Sequence, residues 1–144
     1  MALKVKTPTD KVVKLTISDP TGETYVTFKQ ATQGTMDMLE DLRSAGTEYS
    51  YHDQEKGKMV ITPKQSAATI RRMQIYWTLT DCNILDEDEK PLFQIVNDGK
   101  RTHLVGSPEA FQVAWDKLDP DVADEVYQAM LSVNPQWAPT GLGE

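Results

Sequence analysis

The sequence predicts an α+β protein: N-terminal β-hairpins form a small antiparallel sheet, and amphipathic helices follow, the last two as an αα-hairpin. Three observations predict this class. β-branched and aromatic residues with partial period-two alternation dominate the first thirty residues. Apolar residues then recur at helical spacing after residue 32. Two helix starts led by proline follow in the C-terminal third.

The composition is that of one globular domain. The chain has 144 residues, of which 39% are hydrophobic and 26% charged. A chain of this size can bury a core without disulfides or a structural metal. The helical pattern stops at Asn134-Pro135, so we expect a single domain over residues 1–134 and a flexible tail over 135–144.

The charge is acidic and unevenly distributed. The net charge is −7; residues 1–72 carry a net +2 and residues 73–144 a net −9. The negative net charge disfavours nucleic-acid binding. The acidic residues of the second half either lie on solvated helix faces or form a surface that binds a basic partner. No apolar stretch reaches the ~18 residues of a membrane span, and the N-terminus lacks a signal-peptide pattern. We therefore expect a cytosolic protein that binds neither nucleic acid nor membrane.

The first predicted element is a β-hairpin. Residues 11–17 and 24–28 are typical of strands, with Val13, Leu15 and Ile17 on one side. Between them Asp19-Pro20-Thr21-Gly22 predicts a turn. The two strands and this turn form the start of the expected sheet.

A helix and a second hairpin follow. The helix begins near Thr32 or Thr35 and ends at Gly46, and its apolar residues recur at spacings of three from Met36. Residues 48–52 and 58–62 flank a polar turn and predict a hairpin that ends at Pro63.

Residues 65–80 predict a helix for which two interpretations stay open. Ile70, Met73 and Trp77 fall on one face, whereas Ile75 and Leu79 fall on the opposite face. Either the helix is buried on both sides, or it ends early and residues 77–80 are extended. The acidic run 86–89 then predicts an exposed loop, and residues 92–96 and 102–105 predict a third, short hairpin around a turn at 97–100.

Two helices are predicted in the C-terminal third. Ser107-Pro108-Glu109 combines an N-cap, a proline at the first helical position and an acid in the first turn, and Asp119-Pro120-Asp121 repeats this chemistry. The residues expected to face inward are Phe111, Ala114, Trp115, Leu118, Val122, Val126, Tyr127, Met130 and Val133. Trp137 follows the last helix, so it either folds back onto the domain or anchors a partner.

The residues offer little for catalysis. No nucleophile elbow, phosphate-binding glycine loop or zinc motif is present, and we expect no cofactor or metal. Cys82 follows Asp81, and a neighbouring carboxylate raises the pKa of a thiol. This setting favours an inert, buried cysteine over a reactive one. A small enzyme would have to draw on Asp81, Cys82, His52 and His103, and we do not expect an enzyme.

Five segments carry a resemblance to a known family: TIRRMQIYWTLTD at 69–81, KPL at 90–92, SPEAF at 107–111, LDPDVADE at 118–125 and VNPQW at 133–137. Together they resemble the tail assembly chaperones of long-tailed bacteriophages. The similarity covers roughly residues 60–137.

This resemblance implies a non-enzymatic role. Such proteins bind the long helical tape measure protein, keep it soluble, help tail tube subunits assemble around it, and leave before the virion is complete. The resemblance thus implies the host cytoplasm as location, and binding along one client favours homo-oligomers. A helical client would dock on the first helix and the C-terminal helices. The candidate contacts are Met36, Leu39, Trp77, Tyr127, Trp137 and Leu142, most of which we expect to belong to the core.

A structural minor tail or neck component, retained in the virion, is the alternative. Such a component would use its hairpins to extend a sheet between subunits. Presence in purified virions distinguishes it from the chaperone.

Overall fold

The computed structural model describes residues 2–5, 9–45, 47–53, 58–63 and 67–138. Its elements, in chain order, are β1 (Asp10–Lys14), β2 (Tyr25–Lys29), α1 (Gln33–Ala45), β3 (Thr47–Asp53), β4 (Lys58–Pro63), α2 (Ala67–Thr78), β5 (Leu79–Cys82), β6 (Ile95–Asn97), β7 (Thr102–Leu104), α3 (Pro108–Trp115), α4 (Pro120–Val133) and a 3-10 turn (Pro135–Trp137). The predicted α+β class is confirmed.

The main sheet is antiparallel and has the strand order β1-β2-β5. β2 is its central strand, and its Val26, Thr27 and Phe28 are all buried. The second hairpin, β3–β4, forms a separate two-stranded sheet, as does β6–β7. The third strand of the main sheet is thus supplied from beyond α2 and not by the second hairpin.

The first hairpin is confirmed, with one correction. The Asp19 carboxylate accepts hydrogen bonds from the backbone N–H groups of Thr21 and Thr24, each at 3.1 Å, and Gly22 takes the positive φ of +74° that the turn requires. β1 ends at Lys14, however, and Ile17 is 83% exposed. Its expected place beside Val13 and Leu15 is wrong, because the chain has already left the strand.

α2 is the central helix of the fold and packs against α1, α3 and α4. It ends at Thr78, and the chain continues directly into β5 at Leu79. Both open interpretations are therefore partly correct: Ile75 and Leu79 are buried, Trp77 is half-buried within the helix, and the extended segment starts two residues later than expected.

The C-terminal helices begin as predicted. Ser107 Oγ accepts a hydrogen bond from the Ala110 backbone N–H at 3.1 Å, whereas Asp119 precedes α4 without a side-chain capping bond. Phe111, Val126, Met130 and Val133 are buried, and the other predicted inward residues are half-buried against the core. The Phe111 ring stacks on Phe93 with centroids 5.2 Å apart.

The chain does not leave the folded body at residue 134. Pro135–Trp137 form the 3-10 turn, and Trp137 is 9% exposed and packs in the core. Of the two interpretations of Trp137, folding back onto the domain is therefore correct. The rest of the predicted tail, residues 139–144, lies outside the described residues.

A candidate partner-binding groove

A groove of about 720 Å³ lies between α1 and α2, with α4 and the 3-10 turn contributing to it; we call it the α1–α2 groove. Its α1 residues are Gln33, Met36, Asp37, Leu39, Glu40 and Arg43. Its other residues are Ala67, Ile70, Arg71, Gln74, Tyr127, Gln136, Trp137 and Ala138.

Helical periodicity explains both walls. Gln33, Met36, Asp37 and Glu40 stand at positions i, i+3, i+4 and i+7 of α1, and Ala67, Ile70, Arg71 and Gln74 repeat this spacing in α2. Side chains at these positions share one face of a helix. Each wall is thus one continuous stripe of a helix surface.

The most buried residues of the groove are two apolar residues and one polar residue. Leu39 and Gln74 are each 2% exposed, and Trp137 is 9% exposed. Met36 and Tyr127 are half-buried and pack against the core. The groove is therefore built on side chains that the fold itself holds in place.

The rim carries charges of both signs. Arg43 forms an ion pair with Glu40 at 3.3 Å, and the Arg71 guanidinium lies 5.4 Å from the centre of the Tyr127 ring. Asp37 accepts a hydrogen bond from Gln33 Nε2 at 2.8 Å. These contacts lie at the surface, and the charged residues of the rim are two acidic and two basic ones, so the acidity of the C-terminal half does not extend to this groove.

Four of the six candidate contact residues meet in this groove: Met36, Leu39, Tyr127 and Trp137. Trp77 lies elsewhere, in a depression of about 470 Å³ beside β5 and β7. Leu142 lies outside the described residues. The structure adds Ile70, Arg71 and Gln74, whose signal in the sequence is the i, i+3, i+4, i+7 spacing that starts at Ala67.

Of the residues considered for chemistry, Asp81, Cys82 and His103 do not line this groove. Burial, with a smaller contribution from Asp81, raises the pKa of the Cys82 thiol to about 11. His103 Nδ1 lies 3.9 Å from Asp98 Oδ2 on the β6–β7 hairpin. The side chain of His52 lies outside what the structure describes.

The described residues bear on two other kinds of site. Within ranges 2–5, 9–45, 47–53, 58–63 and 67–138, no three His, Cys, Asp or Glu side chains are grouped so that they could hold a metal ion. No helix in the same ranges has the length and apolarity required to cross a membrane.

Comparison with known proteins gives no assignment. No protein-family model matches the chain, and no curated protein or solved structure matches it. The fold and the groove therefore define the protein at this point as a small α+β protein with a helix-lined surface groove.

Proposed function

We propose that this protein is a tail assembly chaperone of a long-tailed bacteriophage. In this proposal it binds the tape measure protein in the host cytoplasm, keeps it soluble and promotes assembly of tail tube subunits around it. It is non-enzymatic, acts as a homo-oligomer, and is absent from the mature virion. The resemblance of residues 60–137 motivates this proposal, and the α1–α2 groove supports it.

The observation that carries the proposal is the pairing of two helical stripes over the buried side chains of Leu39 and Trp137. An amphipathic helix docks in such a groove by inserting its own i, i+3, i+4 and i+7 side chains between the walls. The α1 wall runs from Gln33 to Arg43, which at ~1.5 Å per residue is about 15 Å. A client helix of about ten residues matches this length.

Oligomers would increase the strength of such binding. One short helical contact is weak, but several copies along one long client raise the overall avidity by about 10²–10⁴ without new kinds of contact. A tape measure protein offers many such helical segments, so the proposed client and the short groove are compatible.

The test is an affinity capture of the tagged chain from cells that express the complete tail gene set, with virions from the same cells probed for the chain. We expect mass spectrometry to identify the tape measure protein in the capture and no chain in virions. Capture of tube or neck subunits, together with the chain in virions, would instead make it a structural tail or neck component.

A matched pair of variants locates the contact. Met36 lines the groove, whereas Met38, two residues along the same helix, does not line it and is 45% exposed. We expect Met36→Glu to reduce capture of the tape measure protein at least tenfold and Met38→Glu to leave it unchanged. Equal effects of the two substitutions would place the contact outside the groove.

A further inference from the structure

The main sheet has one covered edge and one open edge. β5, at one end, has the β6–β7 hairpin beside it, whereas β1 has a single neighbouring strand, β2, among the residues that the structure describes. Every β1 residue except the half-buried Val13 is exposed. Leu3 and Val5, which precede β1, are fully exposed and therefore do not pack against this edge. The backbone of β1 is thus open to a further strand.

The hydrogen bonds to β2 show which β1 residues face the open edge. The Leu15 N–H donates to the Thr24 carbonyl at 2.9 Å, and the Gln30 N–H donates to the Thr9 carbonyl at 3.3 Å. The register of the two strands continues without a shift between these bonds. In an antiparallel pair, residues that bond to the neighbouring strand alternate with residues whose N–H and C=O groups point away from it. The residues with outward-pointing backbone groups are therefore Asp10, Val12 and Lys14.

This edge is complementary to itself. Val12 lies midway between Asp10 and Lys14, so a second β1 can run antiparallel to the first about a two-fold axis at Val12. Val12 is then opposite Val12 of the partner subunit, and Asp10 is opposite Lys14 of the partner subunit. All the opposed residues have outward-pointing backbone groups, so each opposed pair can exchange two backbone hydrogen bonds.

The side chains favour the same register. Those of Asp10, Val12 and Lys14 share one face of β1, because successive side chains of a strand alternate between its faces. The pairing brings an aspartate and a lysine together at each end, and opposite charges directly across two strands are stabilising. Val12, which is 64% exposed, gains an apolar contact at the centre. A parallel pairing in register would instead oppose like charges at both ends.

We propose that two copies of this chain pair through their β1 edges, antiparallel and centred on Val12, so that their three-stranded sheets join into one continuous sheet. Its strand order is β5-β2-β1-β1-β2-β5. A two-fold interface uses the same surface on both copies, so this contact closes as a dimer. The inference goes beyond the proposed function, because it identifies an interface between copies and requires no tape measure protein.

Charge reversal tests the register. Asp10→Lys and Lys14→Asp each oppose like charges at both ends of the pair, so each variant alone should dimerise about tenfold more weakly than the parent. An equimolar mixture of the two variants restores opposite charges at both ends, and so does the double variant. We expect both to dimerise within about threefold of the parent. Sedimentation equilibrium of the full chain, from about 10 μM to 1 mM, measures these dissociation constants.

A second pair of variants tests the backbone hydrogen bonds. Val12→Pro removes the N–H at the centre of the pair, and because this N–H points away from β2, the substitution leaves the β1–β2 hydrogen bonds in place. Val12→Thr is the matched control, since it keeps the N–H and the branched shape. We expect Val12→Pro to weaken dimerisation at least about tenfold and Val12→Thr to change it less than about threefold. Melting temperatures monitor folding, and the charge variants decide the question if Val12→Pro does not fold.

Several results would overturn the proposal. They are a parent chain that stays monomeric up to about 1 mM, dimerisation that neither charge variant weakens, and a mixture of the two variants that does not recover it. The proposed function is tested separately. A chain that dimerises through β1 but captures no tape measure protein would refute the proposed function and leave this inference standing. Capture by a chain that does not dimerise through β1 would support the proposed client and refute this inference.

Discussion

The side-chain oxygen of Asn134 accepts a hydrogen bond from the backbone N–H of Ala31 at 2.7 Å, across 103 residues of sequence. Its amide nitrogen donates to the Lys29 carbonyl at 3.1 Å. Asn83 makes the same pair of contacts at the other end of β2, with the Tyr25 N–H at 2.8 Å and the Glu23 carbonyl at 2.7 Å. Two asparagines thus hold the two ends of the central strand.

The two asparagines should contribute unequally to the free energy of unfolding, because they differ in burial. Asn134 is 1% exposed, whereas Asn83 is at the surface. We expect Asn134→Ala to lower the free energy of unfolding by about 2–4 kcal/mol, because it removes the partners of two partly buried backbone groups. Asn83→Ala should cost about 1 kcal/mol, since water replaces its bonds. Urea denaturation measures both, and equal losses would contradict the role assigned to burial.

Trp137 should act mainly on stability. Because it is 9% exposed and packs in the core, we expect Trp137→Ala to lower the free energy of unfolding by about 3–5 kcal/mol. Trp77→Ala, which truncates a half-buried indole, should cost less. Thermal and urea unfolding check this order. If Trp137→Ala proves the milder change, Trp137 does not have the core role assigned to it.

Glu125 gives the stability a defined pH dependence. Burial alone would raise its pKa, but hydrogen bonds from Ser18 and from the backbone N–H groups of Ile17 and Ser18, at 3.0 and 2.7 Å, outweigh burial and lower the pKa below 4.5. A lowered carboxyl pKa stabilises the fold at higher pH, and this contribution is lost as the pH falls through the folded-state value.

We therefore expect Glu125→Gln to be less stable than the parent by about 1 kcal/mol at neutral pH, and the difference to shrink as the pH falls below 4.5. Denaturation midpoints measured across this range provide the test. Glu87→Gln, on the exposed acidic loop, is the control. A difference that grows toward acid pH would contradict the assigned hydrogen bonds.

Cys82 should react slowly with alkylating reagents. Its pKa of about 11, against 9.0 for an ordinary thiol, lowers the thiolate fraction at pH 8 about a hundredfold. We expect iodoacetamide to modify the folded chain about a hundred times more slowly than the chain unfolded in guanidinium. A folded-state rate within tenfold of the unfolded rate would show that the thiol is not protected.

Local signals predicted most of the elements. The Asp19–Gly22 turn and the Ser107 cap are recognisable in sequence because their hydrogen bonds join residues at most five positions apart. The pairing of β2 with β5 was not predictable in this way. The Thr80 hydroxyl reaches the Thr27 carbonyl across 53 residues, and no local pattern indicates that these two strands are neighbours.

The groove was predictable only in part. Periodicity identified Met36 and Tyr127 as apolar positions, but the same spacing describes a stripe that faces the core and one that lines a groove. Gln74 shows the difficulty most clearly. A glutamine between Met73 and Ile75 is typical of a solvated helix face, yet the packing of three helices around α2 buries it.

The central position of β2 has a consequence for synthesis on the ribosome. At about 5–20 residues per second, the 53 residues between Thr27 and Thr80 take roughly 3–10 s to be made. During this interval β2 can pair with β1, but the backbone groups on its other side await β5. β2, the central strand of the finished sheet, is therefore at first an edge strand. An edge strand has unpaired backbone groups, through which an unfinished chain can pair with another copy.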